Sequence, residues 1–487
     1  MEDGQGHRYN HNGHKVHKWV QPDGESGRRG FNPLKFLAIC FRSTATASML
    51  TNILWPFTIA AMVLHFAFPE KELWIFITAY LGMVPAANLV GFAGQELARK
   101  LPTVIGVVLE TTFGSVVEII LFMVLLKQPG GQNVRIIQAA ILGSILANLL
   151  LCLGLCFFIG GIFHPEQTFH EAISEVGSNL MLVAGMGLVI PSIFFNSLDG
   201  NPAWTTEFLQ ERALAISRAA AVILLLAFAV YLFFQIRSHH GLYEDILKQD
   251  EHKDVDRHKD LAKDKLTLTE SIIAVLIGIT FVTFMAIFLV QQIEVSCAAF
   301  PSSIRIVKAA EQPSACKASC HAGQETLLTL VQYIVENRGV SDAFMGLILV
   351  PLVEKASEHL TAMDEAYDNQ MNFALSHVLG ASIQTALLNT PLVVLVSWGI
   401  DGSDVNRAMS LNFELFDSVV LILAIIVIGN FLRDEKSDYL EGALSVFVYV
   451  LIAVSAYYYP GGGNAGEVAS EGASAGGEAA RRFLMKQ

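Results

Sequence analysis

The sequence predicts an all-α integral membrane protein, and three observations support this fold class. Apolar residues (A, V, I, L, M, F, W, Y and C) make up 53% of the 487 residues, only 16% are charged, and the mean hydropathy is +0.48. Such values lie outside the usual range of soluble domains. Apolar runs long enough to cross a bilayer recur along the chain. Two of these runs resemble each other, and both carry carboxylates at membrane depth.

About eleven apolar runs are long enough to cross roughly 30 Å of hydrocarbon as helices. The runs are Leu50–Phe68, Leu73–Gln95, Thr103–Leu126, Val134–Phe163, Glu171–Phe195, Ala213–Phe234, Glu270–Val290, Asp342–Met363, Met371–Trp398, Phe413–Leu432 and Tyr439–Tyr459. The fourth and ninth runs exceed the thickness of a bilayer, so we expect them to be tilted or to extend past it.

The third run contains the stretch Gly106–Met123, which reads GVVLETTFGSVVEIILFM and carries Glu110 and Glu118. A carboxylate at membrane depth costs at least about 2.5 kcal/mol, so it indicates a cavity or a bound ligand. At about 100° per residue, Thr111, Ser115 and Glu118 fall on one helical face. That face offers oxygen atoms, which hard cations and protons bind.

The eighth run contains a related stretch, Gly346–Met363, which reads GLILVPLVEKASEHLTAM and places Glu358 at the position of Glu118. Each acidic stretch is followed by a second polar pattern, LGSILAN at 142–148 and LGASIQT at 379–385. Two similar copies of an acidic span and a Gly/Ser/amide span indicate an internal duplication of the kind found in transporters.

Basic residues predict the orientation of the chain in the membrane. They concentrate in the amino-terminal segment, in the loop after the second run and in the loop after the sixth run, which all fall on one side. We assign this side to the cytosol, which leaves the carboxyl terminus in a lumen. The two acidic runs are five runs apart, so they enter the membrane from opposite sides, as in an inverted repeat.

The remaining segments are polar. We expect a cytosolic, disordered tail at 1–49, whose histidines include His7, His11, His14 and His17, and a disordered low-complexity tail at 460–487. A charged cytosolic linker at 235–269 separates the halves. The luminal insertion at 291–341 holds Cys297, Cys316 and Cys320, so one disulfide is possible there.

The sequence resembles a known family in both halves. The stretches that carry the resemblance are GVVLETTFGSVVEII from Gly106, AILGSILANLLLCLG, GLILVPLVEKASEHLTA and ALSHVLGASIQTALLNTPLVVLVSW. In order and spacing they are similar to the two repeats of the CAX cation/proton exchangers in the calcium/cation antiporter superfamily. The resemblance covers roughly Leu50 to Tyr459. It implies one extra helix at 50–70, a first five-helix repeat at 71–234 and a second half of five helices at 270–459.

The resemblance also implies a site. Glu118 and Glu358 correspond to the carboxylates that bind the exchanged ions, facing each other across the pseudo-two-fold axis. His359 matches the Glu-His pair of the family and could tune the response to pH, although a packing histidine is an equally good interpretation. Oxygen ligands are implied for four further side chains, which are Ser144, Asn148, Ser382 and Gln384.

The chain departs from the family pattern in both repeats. Glu110-Thr111-Thr112-Phe113-Gly114-Ser115 stands where the family has Asn-Ala-Thr-Phe-Gly-Asn, and Glu354-Lys355 stands where it has Gly-Asn. Two interpretations of Lys355 remain open. Its ammonium competes with the transported cation among Glu118, Glu354 and Glu358, or it packs away from the cavity in a pair with Glu354.

We therefore expect a secondary antiporter that exchanges Ca2+ or a related divalent cation for protons across a vacuolar or other endomembrane. A Na+ or K+/proton exchanger of the same fold, and a non-transporting scaffold or channel, remain as alternatives. The sequence contains no Gly-rich phosphate loop and no HExxH, so we expect neither an enzyme nor a cofactor. The net charge of -13 disfavours nucleic acid as a partner. Membrane lipid is expected around the helices, and the oligomeric state is open.

Overall fold

The fold is that of a computed structural model, which describes residues 31–43, 46–127, 133–253, 264–298, 342–401 and 408–459. It also describes residues 2–3, 7–9, 15–16 and 26. Most of the predicted luminal insertion, including Cys316 and Cys320, and the predicted low-complexity tail at 460–487 lie outside the described residues. The side chain of Cys297 also lies outside them, so the predicted disulfide stays a prediction.

The described residues of the first half of the chain form ten α-helices. These are α1 (Pro33–Arg42), α2 (Thr46–Thr51), α3 (Trp55–Ala67), α4 (Glu72–Ala98), α5 (Thr103–Lys127), α6 (Asn133–Leu146), α7 (Leu153–Phe163), α8 (Glu171–Leu198), α9 (Thr206–Phe233) and α10 (His240–Glu251). Short 3-10 or π-helical segments extend several of them, namely Asn52–Leu54, Ala147–Cys152 and Phe234–Ser238.

In the second half, the residues that the structure describes form eight further α-helices. These are α11 (Leu268–Ala298), α12 (Asp342–Phe344), α13 (Val350–Glu354), α14 (Ala356–Tyr367), α15 (Met371–Gln384), α16 (Thr390–Asp401), α17 (Leu415–Phe431) and α18 (Tyr439–Tyr458). The π-helical segments Met345–Leu349 and Thr385–Asn389 and the 3-10 turn Leu432–Asp434 join some of them.

Short strands complete the described structure. In the amino-terminal segment, where the sequence predicts coil, β1 (Glu2–Asp3), β2 (His7–Tyr9) and β3 (Lys15–Val16) pair in antiparallel order. The strands are held by backbone hydrogen bonds, which the amino-acid composition of the segment does not predict. A second antiparallel pair joins β4 (Gln167–Thr168) to β5 (Lys436–Ser437) and so links the two halves.

Local sequence explains where several helices begin. The side chains of Asn32, Thr205 and Asp438 accept hydrogen bonds from backbone N–H groups in the first turns of α1, α9 and α18. These residue types are the preferred amino-terminal caps because their oxygens satisfy donors that have no partner within the helix. Pro33 follows its cap at the first helical position, where its missing N–H costs nothing.

Nine helical stretches among the described residues are long and apolar enough to cross a membrane. They correspond to nine of the predicted spans, and the two acidic spans are the others. The first acidic span is the continuous 25-residue helix α5. The second is broken into α12, a π-helical segment, α13 and α14, which corrects the single run expected over Asp342–Met363. The total of eleven spans stays a prediction.

The break in the second acidic span lies at Lys355, between α13 and α14, where the backbone has φ −92° and ψ −2°. Pro351 stands four residues earlier and has no backbone N–H, and the π-helical segment Met345–Leu349 precedes it. The break is local, because the Lys355 N–H still donates to the Pro351 carbonyl and the His359 N–H to the Lys355 carbonyl, each at 2.9 Å. The apolar content of the run does not show such a break.

The order of contacts shows that the two acidic spans run in opposite directions. Along α4, Gly91 faces Ser357 and Gln95 donates a hydrogen bond to Thr361, so α4 and α14 run in parallel. Against α5 the order reverses, because Gly94 faces Phe113 and the later Ala98 faces the earlier Gly106. Hence α5 and α14 are antiparallel, which is the inverted arrangement that the sequence predicts.

Small residues allow the two repeats to cross closely. A side chain at Gly143 on α6 would collide with the backbone of Leu347, and one at Gly346 would collide with Ala139 on α6. Backbones approach this closely only where side chains are small. Both glycines belong to the repeated motifs, so the duplication in sequence builds the contact between the two halves.

One end of the bundle, which we call the α10 end, is held together by α10 and the loops beside it. Buried Asp250 on α10 accepts hydrogen bonds from the backbone N–H of Asn372 (2.7 Å) and of Phe373 (3.4 Å) at the start of α15. Glu96 accepts from the backbone N–H of Leu266, and the Lys100 ammonium donates to the carbonyl of the same residue. The predicted linker at 235–269 thus contains a packed helix.

Apolar side chains cover the outer faces of several long helices. Ile223, Leu226 and Val230 on α9, and Phe447 and Leu451 on α18, are all more than half exposed. An exposed surface of this kind is stable in lipid but costly in water. Polar groups instead point inward, where both acidic spans meet.

Candidate functional site

The centre of the bundle holds an ammonium between two carboxylates. The Nζ atom of Lys355 lies 3.3 Å from Oε2 of Glu118 on α5 and 3.4 Å from Oε2 of Glu358 on α14. Lys355 and Glu118 are completely buried, and the Glu358 side chain is 25% exposed. Of the two predicted interpretations of Lys355, the structure has the one in which its ammonium lies among the carboxylates of the site.

The two oxygens of the Glu118 carboxylate differ in their hydrogen bonding. Its Oε2 atom accepts hydrogen bonds from the Thr385 hydroxyl and the Asn389 amide, each 2.8 Å long, in addition to the contact with Lys355. Its Oε1 atom is buried and has no hydrogen-bond partner among the described residues. One oxygen of this carboxylate is therefore available for a further ligand, because an unpaired buried acceptor is costly.

Glu358 reaches the centre because Gly114 leaves room for it. A Cβ atom at Gly114 would collide with the carboxyl group of Glu358. Its side chain also lines a cleft beside the centre. The cleft is lined mainly by α4, α14 and α15, including Asn88, Gln95, Asn148, His359, Thr361 and His377.

A third carboxylate lies beside the pair. Glu354 is 2% exposed, and neither of its oxygens has a hydrogen-bond partner among the described residues. It interacts electrostatically with Glu118, Lys355 and Glu358, and the Ser144 hydroxyl lies beside it as a hydrogen-bond donor. The Ser144 hydroxyl is also buried without a partner that meets ordinary hydrogen-bond geometry. Three carboxylates and one ammonium thus share the buried centre.

The other predicted ligands are divided among separate contacts. Asn148 meets His359, with 3.1 Å between Oδ1 and Nε2. The hydroxyl of Ser115 donates to the Gln384 side-chain oxygen at 2.9 Å. The hydroxyl of Ser382 instead donates to the carbonyl of Val378 on its own helix at 2.9 Å. The predicted residues therefore surround the centre without forming one shell, and their role as ligands stays a prediction.

Some residues of the site were not predicted, and two predicted ones cannot be placed. Thr385 and Asn389, which hold Glu118, lie one turn apart in the π-helical segment Thr385–Asn389. The sequence feature that could have identified them is their polar character within an apolar run. The side chains of Glu110 and Thr111 lie outside the described residues, although the backbone of α5 passes through both positions.

The π-helical segments mark equivalent places in the two repeats. Ala147–Cys152 follows LGSIL in the first repeat, and Thr385–Asn389 follows LGASIQ in the second. Such segments are rare within helices and are common at functional sites. Both bring amide side chains, Asn148 and Asn389, to the centre.

The arrangement has a simple electrostatic consequence. With all groups ionised, Glu118, Glu354, Glu358 and Lys355 sum to a net charge of about −2, which a bound cation or protons can balance. Among the described residues, no three His, Cys, Asp or Glu side chains form a ready metal cage. The ammonium of Lys355 occupies the space that a cation would share between Glu118 and Glu358.

Known proteins with related sequences match both halves of the chain. The family model described as sodium/calcium exchanger protein matches residues 71–237 and 319–458. A vacuolar cation/proton exchanger 5 from Arabidopsis thaliana is 30% identical over 414 residues, covering 84% of this chain and 81% of that protein. A Ca(2+)/H(+) antiporter from Aphanothece halophytica is 26% identical, covering 80% of this chain and 91% of its own.

Solved structures agree in fold. Native YfkE aligns with a TM-score of 0.60 at 23% identity, covering 85% of this chain and all of its own chain (100%). A structure of the H+/Ca2+ exchanger CAX aligns with a TM-score of 0.51 at 13% identity, covering 86% of this chain and 90% of its own. With its inverted acidic spans and a family match over more than half its length, the chain belongs to the sodium/calcium exchanger protein family.

Proposed function

We propose that this protein is a secondary antiporter that moves Ca2+ or a related divalent cation out of the cytosol in exchange for protons. The observation that carries the proposal is the meeting of Glu118 and Glu358, from two inverted helices, in one buried centre. Carboxylates bind either a proton or a cation, in competition. Relatives named as vacuolar cation/proton exchangers and as a Ca2+/H+ antiporter support the same exchange.

The geometry supports access to the site from one side at a time. A cation that enters through this cleft meets Glu358 first, because this side chain is 25% exposed whereas Glu118 is completely buried. The inverted repeats can then rock against each other and expose the same centre to the opposite side. Protons that bind the carboxylates on that side release the cation and return the protein to its first state.

We assign the α10 end to the cytosol and the membrane to a vacuole. The distribution of basic residues supports the first assignment, and several relatives with vacuolar names support the second. The amino terminus is then cytosolic and the carboxyl terminus luminal. In intact vesicles, exposed Gln249 on α10 should be cleavable from the cytosolic side, whereas Gly323 should be protected until the vesicles are opened.

A second candidate, a Na+ or K+/proton exchanger, is favoured by Lys355. When Glu354 is protonated, the ammonium offsets one of the two charges of Glu118 and Glu358, which leaves a single negative charge suited to a monovalent ion. This candidate shares the fold, the carboxylates and the coupling to protons.

Transport by purified protein in acid-inside proteoliposomes tests the proposal. Adding Ca2+, Mn2+, Na+ or K+ outside, one at a time, should cause cation uptake and a matching rise in internal pH. We expect the largest response with Ca2+ and none in protein-free liposomes. A response to Na+ or K+ alone selects the second candidate. Cation flux that does not depend on the pH gradient indicates a channel. The absence of flux with every cation contradicts the proposed function.

A further inference from the structure

Glu354 is a buried carboxylate to which the proposed exchange mechanism has so far given no role. It is the last residue of α13, it is 2% exposed, and both of its oxygens lack hydrogen-bond partners among the described residues. A carboxylate in such a place costs several kcal/mol unless a charge compensates it. Its neighbour Lys355 is the nearest source of charge, but that ammonium makes its ion pairs with Glu118 and Glu358.

The surroundings of Glu354 hold further oxygens without partners. The hydroxyl of Ser144 interacts with Glu354 and is completely buried. Oε1 of Glu118 and Oδ1 of Asn389 are buried as well, and these two residues are joined by a hydrogen bond. With the two oxygens of Glu354, four buried carboxylate or amide oxygens accept no well-formed hydrogen bond from a described residue, and the Ser144 hydroxyl lies beside Glu354 as a donor. Acceptor oxygens without donors are what a hard cation requires.

We propose that Glu354, Ser144 and the free Oε1 of Glu118 form a buried cation subsite beside Lys355. This inference rests on the proposed function and specifies where the transported cation binds. Because the ammonium already lies between Glu118 and Glu358, an incoming cation is repelled from that position. It binds instead on the side of Glu354, where oxygens are free, and shares Glu118 with the ammonium.

The subsite also accounts for the combination of Glu354 and Lys355. Glu118 and Glu358 alone carry two negative charges, and Lys355 reduces them to one. Glu354 restores the second charge, so the centre keeps the charge that balances one divalent cation. The two residues therefore act as a compensating pair, and the loss of one should be corrected by the loss of the other.

Four forms of the full-length protein test the subsite, namely wild type, Glu354→Gln, Lys355→Asn and the double variant. Ca2+ affinity is measured from the Ca2+-dependent rise in the melting temperature of purified protein, and transport is measured in proteoliposomes. We expect Glu354→Gln to weaken Ca2+ binding at least tenfold and the double variant to return to within about threefold of wild type. Ser144→Ala should weaken it by a smaller factor.

Asp417→Asn is the matched control, because Asp417 is a buried carboxylate on α17. It should leave Ca2+ affinity within twofold of wild type, and each variant should elute as a single folded species. Glu354→Gln with the affinity of wild type, or a double variant no better than Glu354→Gln, overturns the subsite alone. Wild type that neither binds nor transports Ca2+ or Na+ contradicts the proposed function itself.

Discussion

Lys355 and Glu118 lie 3.3 Å apart at the centre of the membrane bundle, and both are completely buried. They come from antiparallel spans, so this ion pair joins the two inverted repeats. At an effective dielectric constant near 20, the Coulomb attraction between unit charges at this distance is about 5 kcal/mol before desolvation is counted. Under the proposed function, the ammonium is a built-in cation that any transported cation must displace or accommodate.

Removing that ammonium should strengthen cation binding. In Lys355→Asn, the carboxylates of Glu118 and Glu358 lose their internal counter-charge, so we expect Ca2+ affinity to rise at least tenfold and selectivity to shift from Na+ toward Ca2+. Tenfold is about 1.4 kcal/mol, well below the Coulomb energy of the pair. Competition between Ca2+ and Na+ in transport assays provides the measurement.

Lys355→Arg is the matched control for this prediction, since it keeps the charge while changing the shape of the group. Its selectivity should stay close to that of wild type. Unchanged selectivity and an unchanged rate in Lys355→Asn would mean that the lysine is structural.

Gly114 should be intolerant of any side chain. In Gly114→Ala, the new methyl group would collide with the carboxyl group of Glu358 and move it away from Lys355. We expect transport to fall at least tenfold while the melting temperature changes by only a few degrees. Gly429→Ala is the control, because its Cβ atom would meet only Ser178 at 3.8 Å. Equal transport in both variants would contradict the position of Glu358.

Asp250 should stabilise the α10 end. It accepts hydrogen bonds from the backbone N–H groups of Asn372 and Phe373 at the start of α15. It also forms an ion pair with Lys253 at 2.8 Å. Asp250→Ala leaves buried donors without a partner, which costs about 1–3 kcal/mol for each such group. We expect a lower melting temperature and faster proteolysis after α10. Asp245→Ala, at an exposed position of the same helix, should change neither.

Much of the fold could be predicted from the sequence. The length and hydropathy of the runs gave the positions of the long helices, and the odd separation of the two acidic spans predicted their opposite directions. The break at Lys355 could not be predicted in this way. It is a change of backbone conformation at a single residue, which hydropathy does not report.

The site was predictable in its residue types but not in its pairings. Glu118, Glu358 and Lys355 were identified from the repeated motif and from departures within it, and the structure brings them together. Thr385 and Asn389 were missed because their role depends on which face of the π-helical segment meets α5. A sequence shows that side chains are polar, but only packing between the repeats decides their partners.

Proton-coupled Ca2+ uptake by Glu118→Gln and Glu358→Gln tests the central claim most directly. The amide keeps the shape of each side chain, but it can neither neutralise a cation nor exchange a proton at neutral pH. We predict that both variants purify as folded protein and that acid-inside proteoliposomes containing either one take up Ca2+ no faster than empty liposomes. Uptake near the wild-type rate in either variant would contradict exchange at two carboxylates.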